Sequence, residues 1–341
     1  MKKLWQLAHD AAVNRLTPPV DVTYITDRSN WAVTSVAHDL VSALNQTGLA
    51  AARTTSTAYG TRRTLLHFGS PYTYLLGRGV HRTHPSNKIV LSIFHIPPGN
   101  DRIKQLLPIQ NKLQAIHVPT SLTQNQLINF GFNSEKIKLI PFGVNLNTYQ
   151  PAPFKIPNKS FVIGSFQKDG HGWGQGLEPK LVKGPDLLVK ALQELRQKIP
   201  VFVLLAGPAR GYVISHLKTN NIPFRYLGYQ ADRQTIARAY HALDAYLITS
   251  RVEGGPLQLL EAWASGIPVI STKVGMCADL GQNNTNILLA DMSAKSIAQA
   301  ITQLYQNQTL RQQLVKNAAT LAQNHAWPLI AHRYYDQLYQ A

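Results

Sequence analysis

The stretch from Ala242 to Ser271 limits the fold of this chain more tightly than any other part of it. Ala242–Thr249 (ALDAYLIT) is an apolar run of strand length, and it ends at Thr249 and Ser250. Ile267–Ser271 (IPVIS) reads as the next strand. Between them Gly254 and Gly255 permit a tight turn, and Pro256 has the fixed φ suited to a first helical position. Leu257–Ala264 then continues as a short helix. Strand, glycine turn, helix and strand make the repeating unit of an α/β sheet. The turn lies at the carboxyl end of its strand, where open α/β sheets bind ligands. The helix N-terminus beside it presents backbone N–H groups that attract an anion.

Two carboxylates sit in this unit, Glu253 in the turn and Glu261 inside the helix on the face of Leu257. A glycosidase pair needs its carboxyls roughly 5–9 Å apart. Eight residues at about 1.5 Å rise allow up to ~12 Å, which disfavours a hydrolase pair. A long ligand running from turn to helix fits better, one glutamate near its reacting end and the other near its tail. Two solvated glutamates on a helix are the bland alternative.

The string Arg251–Gly266 (RVEGGPLQLLEAWASG) strongly resembles the Glu-X7-Glu signature of retaining nucleotide-sugar glycosyltransferases of family four, which have the GT-B fold. Glu253, Gly254, Pro256, Glu261, Ala262, Ala264, Gly266, Pro268 and Val269 stand at the places of that signature. A second stretch, Lys136, Ile137, Ile140, Pro141, Gly143, Val144 and Asn145, resembles the end of the N-terminal domain in the same family. The resemblance implies two Rossmann-like domains facing a central cleft. An acceptor domain would span 1–150, a nucleotide-sugar donor domain 151–325, and a final helix, 326–341, would return to the first domain. Tyr149–Asn158, with three prolines, reads as the linker.

The rest of the chain alternates in the same way. In the first half Val20–Thr26, Thr64–Phe68, Lys88–His95, Leu113–Val118 and Lys136–Phe142 read as strands, with helices over Ala32–Leu44 and from Thr120 or Ser121 to about Phe130. In the second half Ser160–Phe166, Val201–Gly207 and Phe224–Leu227 read as strands, with helices through Ile214–Lys218 and Gln234–Ala242. Three helical segments close the chain, the last being Trp327–Tyr339.

The resemblance also implies roles. Glu261 would hold the donor ribose hydroxyls, and Glu253 with the backbone of Gly254, Gly255, Pro256 and Leu257 the sugar. The family's diphosphate site uses an Arg and a Lys. Lys183 matches the Lys, but Ser165 stands where the Arg is expected. The loop Gln167–Val182 is longer than usual and carries four glycines, and Lys168 or Lys180 would supply the missing charge. Lys168 is preferred because it lies nearest the strand end. Tyr229 would stack on the nucleotide base, or simply pack. His95, before Pro97 and Pro98, would contact the donor sugar or the reacting centre; a structural hydrogen bond is the competing reading. The turn Asp27–Trp31 lacks the family's Gly-Gly pair, which leaves Asn30 and Trp31 as acceptor-side candidates. No Asp-X-Asp occurs, so no metal or other cofactor is expected, and lysines with a helix N-terminus would serve the diphosphate.

A net charge of +17 points to an anionic partner: a lipid headgroup surface or a phosphate-bearing acceptor. Nucleic acid is disfavoured, because no zinc-finger spacing or RNA-recognition motif accompanies the charge. The single Cys277 agrees with a reducing cytoplasm, and no run reaches the ~18–20 apolar residues of a membrane span. The N-terminus reads as a short amphipathic helix and not as a signal peptide. A cytoplasmic protein, peripheral at the inner face of the membrane, is the expectation. The function expected is retaining transfer from a nucleotide-sugar, uridine diphosphate being the default carrier, to a glycan, lipid-linked or small-molecule acceptor. A GT-B phosphorylase and a non-catalytic basic binding protein on a transferase scaffold are the alternatives.

Overall fold

Strands that are buried on both faces need helices on both sides, and four-residue runs such as Val22–Ile25, Leu65–Phe68 and Ala245–Ile248 are buried throughout. In the computed structural model, which describes all residues except 1, 27–31, 76–82, 152–158, 173 and 341, these runs enter two six-stranded sheets. Every strand pairing in both is parallel. The chain divides into two units, 1–143 with 325–341, and 144–324.

The first unit runs α1 (Lys2–Leu16), β1 (Val22–Ile25), α2 (Ala32–Gln46), β2 (Ala52–Thr55), β3 (Leu65–Phe68), α3 (Pro71–Leu75), β4 (Lys88–Ser92), β5 (Ala115–Val118), α4 (Ser121–Asn129) and β6 (Ile137–Leu139). Its sheet order is β2-β1-β3-β4-β5-β6. Thr120 caps α4 by accepting from the Thr123 N–H. The sequence gives no sign of β2: ARTT is only half-buried, and it pairs solely with β1 at the sheet edge. The predicted strand over Lys88–His95 ends at Ser92, and Lys136–Phe142 contracts to the three residues of β6.

The second unit runs β7 (Phe161–Phe166), α5 (Pro185–Leu195), β8 (Val201–Ala206), α6 (Gly211–Thr219), β9 (Phe224–Tyr226), α7 (Arg233–Tyr240), β10 (Ala245–Ile248), α8 (Leu257–Ala264), β11 (Val269–Thr272), α9 (Gly275–Leu280), β12 (Leu288–Ala290), α10 (Ala294–Gln306) and α11 (Gln308–Asn324). Its order is β12-β11-β10-β7-β8-β9. The strand order reverses between β10 and β7, which is the topological switch point of a doubly wound sheet. A core of Ile163, Leu188, Leu192, Val203, Leu205, Leu247, Ile270 and Ile301 joins the sheet to its helices. Pro256 precedes α8 as its N-cap, with ψ 108°, so the helix starts one residue later than the proline suggests.

Helix α12 (Trp327–Tyr334) and the wider turn Tyr335–Tyr339 belong to the first unit, where α12 packs on α2. The Trp327 ring lies where a side chain on Gly143 would be, 2.5 Å from its ideal Cβ position. A buried hydrogen-bond chain ties this C-terminal segment to the sheet. His117 Nε2 donates to the Ile140 carbonyl at 2.8 Å, so its Nδ1 accepts from the Ser92 hydroxyl, also at 2.8 Å. Ser92 Oγ therefore accepts from His67 Nε2 at 2.7 Å, and His67 Nδ1 accepts from the Tyr339 hydroxyl at 2.7 Å. One carbonyl thus sets every tautomer in the chain. The sequence spacing singled out neither histidine, because their link runs through Ser92 and a tyrosine 272 residues away.

Both rings are neutral. Burial first, and then the neighbouring ring, holds His67 well below the usual imidazole range; burial brings His117 down to about 4. The unfolded chain takes up protons near 6.5 and the folded one does not, so this stability is complete above that pH and is lost as pH falls towards 4. Urea midpoints measured from neutral pH down to about 4 should fall, His117 alone contributing roughly 3 kcal/mol and His67 adding to it. A His67→Gln/His117→Gln protein should lose most of that slope.

Candidate active site

The pairing of β7 with β10 sets two loops side by side. The loop after β7 carries Lys168, Lys180 and Lys183; the loop after β10 carries Glu253. Lys183 Nζ donates to Glu253 Oε1 at 2.6 Å, and the Ser250 hydroxyl donates to the same oxygen at 2.8 Å. Lys180 is half-buried, and loss of water, then the positive charges of Lys183 and Lys168, push its ammonium below the usual lysine range. The Glu253 charge acts on it in the opposite sense. Desolvation also lowers Lys168. Lys180 thus feels the charges of Lys168, Lys183 and Glu253, and Lys183 is the one that pairs with the carboxylate.

Several contacts hold the cluster in place. The Arg251 guanidinium grips Asp186 with two parallel bonds, Nη1 to Oδ1 at 2.8 Å and Nη2 to Oδ2 at 2.7 Å. These bonds hold the Asp186 carboxyl below its usual range. Arg251 Nη1 also donates to the Leu181 carbonyl, and the Arg251 and Val252 amides donate to the Val182 carbonyl. Gly184, at φ +64°, turns the chain from Lys183 into α5; a Cβ there would lie 1.8 Å from the Thr249 carbonyl oxygen. Only glycine fits so close a passage between the two loops.

Ser165 is buried and faces a side chain that the sequence reading missed. Arg210, between β8 and α6, donates from Nη2 to Ser165 Oγ at 3.1 Å and from Nη1 to the carbonyls of Ser165, Gln167 and Ala206 at 2.8, 3.0 and 3.2 Å. Its Nε lies 3.1 Å from Asp169 Oδ1, and both side chains are 0% exposed. Burial raises the Asp169 carboxyl, and the Arg210 charge opposes that rise. Beyond Asp169 the glycine-rich loop doubles back on itself: the Lys180 amide donates to the Asp169 carbonyl and the His171 amide to Glu178. The Gly211 and Tyr212 amides then donate to Gln175 and Gly176. Arg210 thus clamps the loop between Lys168 and Lys180 to the ends of β7 and β8. Nothing in the sequence marks it, since a single arginine after a strand has no periodicity or spacing.

Glu261, on α8, accepts from the Tyr240 hydroxyl at 2.9 Å. Burial and then the Glu261 charge raise Tyr240 well above the usual phenol range, so it remains a donor. Tyr229 is exposed in the turn after β9. Gly254 and Pro256 are buried, Gly255 and Leu257 partly so. His95 belongs to the first unit, exposed and three residues past the end of β4. Asn30, Trp31 and most of the predicted linker lie outside the described residues. Cys277 is buried, which pushes its thiol up to about 12, as suits a packing residue. Among the described residues no cluster of His, Cys, Asp or Glu could hold a metal ion.

Residues 177–321 match the family model of the glycosyl transferases group 1. The matched stretch lies within the second unit. A D-inositol 3-phosphate glycosyltransferase of Pseudarthrobacter chlorophenolicus is 29% identical over 225 residues, 61% of this chain and 51% of that protein. An N,N'-diacetylbacillosaminyl-diphospho-undecaprenol alpha-1,3-N-acetylgalactosaminyltransferase of Campylobacter jejuni is 30% identical over 217 residues, 62% of this chain and 57% of that one. The chain spans about half the length of the curated relatives it matches. Anabaena HepE, solved in complex with UDP and glucose, matches with a TM-score of 0.73 at 16% identity, covering 94% of this chain and all of that one. The fold is GT-B, with two parallel six-stranded sheets and their helices.

The Asp169–Arg210 pair gives this unit a measurable weak point. Arg210→Met leaves a carboxylate buried without its cation and should cost about 3–5 kcal/mol in urea denaturation. Asp169→Leu added to it should recover most of that loss.

Proposed function

We propose that the protein is a retaining glycosyltransferase that takes a sugar from a nucleoside diphosphate donor without a metal ion. The observation that carries this reading is the Lys183–Glu253 ion pair at the switch point of the second sheet, with Lys180 and Lys168 close enough for their charges to act on one another. Lys168, Lys180 and Lys183 outnumber Glu253 and leave positive charge for a diphosphate, and that charge stabilises the leaving group as its bond to the sugar breaks. Lys183 turns from Glu253 to the diphosphate when the donor binds. Glu253, freed of it, accepts hydrogen bonds from the sugar hydroxyls together with the backbone of Gly254–Leu257. Glu261, oriented by Tyr240, holds the ribose hydroxyls by charge-assisted bonds. Tyr229 covers the base.

Transfer follows a front-side course. The bond from the anomeric carbon to the diphosphate oxygen breaks, and the acceptor oxygen bonds to the same face. The leaving phosphate takes the acceptor's proton. Relatives named for an inositol phosphate and for a diphospho-undecaprenol substrate support a phosphate-bearing acceptor, small or lipid-linked. UDP is the carrier favoured by the likeness to HepE with its UDP and glucose.

Melting temperatures with UDP, GDP and ADP, at fixed salt with and without chelator, test the reading. One nucleotide at a hundredfold its Kd should add about 2.7 kcal/mol of apparent stability, and chelator should leave the gain intact. No response to any of the three, or a gain abolished by chelator, overturns the metal-free transferase. Glu261→Ala should weaken that nucleotide by at least about tenfold, from loss of charge-assisted bonds. Equal affinity in the two proteins contradicts the ribose assignment.

A further inference from the structure

Helix α1 exposes an apolar stripe and buries polar side chains. A surface helix normally turns its apolar stripe to the core. Here the two fully buried side chains are polar, Asp10 at 3% and Asn14 at 5% exposed, with Leu7 and Ala11 half-buried beside them. Asp10 Oδ2 accepts from the Ser56 amide at 3.0 Å and from the Ser56 hydroxyl at 2.5 Å. Asn14 Nδ2 donates to the Thr57 and Tyr59 carbonyls at 3.1 and 3.0 Å. The turn at Gly60 closes on the same face, where an added Cβ would lie 2.7 Å from the Ala11 carbonyl oxygen. These bonds fix the rotation of the helix, and its other face points to solvent. Along that face run Trp5 (69% exposed), Ala8, Ala12 and Leu16 (84% exposed), spaced three, four and four residues apart, with Val13 beside them.

The charge near this stripe is mainly positive, Asp21 being the exposed acid just past the helix end. Arg15 is exposed, donates to the Tyr59 hydroxyl at 2.6 Å and lies over its ring. Arg53 donates to Thr17 just past the helix end, and Arg62 and Arg63 are exposed beside Gly60. From residue 40 to residue 100 the sequence has no acid, and the one acid of α1, Asp10, is buried against Ser56.

We propose that this face docks on an anionic lipid bilayer, with α1 lying in the plane of the interface. Trp5 and Leu16 enter the headgroup boundary, where an exposed indole is stabilised, while Arg15, Arg53, Arg62 and Arg63 meet the lipid phosphates. A second copy of the chain fits this face poorly, because two equivalent faces would bring the same positive charges together. The inference goes beyond the donor chemistry of the second unit and does not depend on it.

Flotation of the full chain with vesicles tests it, using phosphatidylcholine alone and an equal mixture with phosphatidylglycerol. The wild type should float with the mixture and not with phosphatidylcholine. Trp5→Ser/Leu16→Ser should lose about tenfold or more in vesicle affinity. Arg62→Gln/Arg63→Gln should lose roughly fivefold per charge, an effect that salt erases. The Trp5→Ser/Leu16→Ser protein should keep the wild-type melting temperature and its nucleotide response, so a folding defect is separable from a docking defect. Failure of the wild type to float with the mixture, or unchanged flotation of the Trp5→Ser/Leu16→Ser protein, overturns the proposal. Concentration-dependent dimers that vanish in that variant would give the face to a second copy and overturn it equally.

Discussion

The parallel pairing of β7 with β10 is the constraint on which the rest of the second unit depends. Because β8 and β9 lie on one side of β7 and β10, β11 and β12 on the other, the loops leaving β7 and β10 part in opposite directions. Their first residues stay adjacent, which is the reason ligands gather at such points in open sheets. This adjacency brings Lys183 and Glu253, 70 residues apart in the chain, to 2.6 Å. The contacts around them serve that meeting: Gly184 passes the Thr249 carbonyl where no side chain fits, Arg251 clamps Asp186, and Ser250 orients Glu253.

Grouped cations are stable only where an anion accompanies them. In this unit Glu253 is the anion, and Lys180 still feels the excess positive charge of its neighbours. That balance makes the site responsive. In the proposed function a diphosphate, with more negative charge than a carboxylate, draws Lys183 away and releases Glu253 for the sugar. The buried Asp169–Arg210 pair is of another kind: it is closed to solvent, and it holds the loop that presents Lys168 and Lys180. A buried pair of this sort adds little net stability over apolar groups, but it fixes geometry when both partners remain.

Much of this was legible in the sequence where residue type and spacing are tied to one local unit. The glycine turn, α8 and the two strands around them can be read from Ala242–Ser271 because each depends on its immediate neighbours. Lys183-Gly184-Pro185 marks a helix start for the same reason. Contacts between distant segments left no such trace. Arg210 follows β8 as an ordinary basic residue, and only the folded sheet shows that it reaches Ser165, Gln167 and Asp169. The same holds for His67, Ser92, His117 and Tyr339, whose chain of protons needs β3, β4, β5 and the C-terminal turn together. Strand β2 was hidden by polarity, since an edge strand of Ala, Arg and two Thr has no apolar period to read. The charge of the first half was visible as composition, but the apolar stripe that α1 exposes appears only when Asp10 and Asn14 are seen buried.

The central claim is that Glu253 holds Lys183 until a donor diphosphate replaces it. Titration calorimetry of UDP, with chelator present, into the wild type, Lys183→Gln and Glu253→Gln proteins tests it most directly. Lys183→Gln should lose at least about tenfold in affinity, since it removes a charge-assisted contact. Glu253→Gln should bind UDP as tightly as the wild type or more tightly, because its lysine no longer has to leave a partner. Weakened binding in Glu253→Gln, together with unchanged binding in Lys183→Gln, would contradict the claim and make the pair a structural strut.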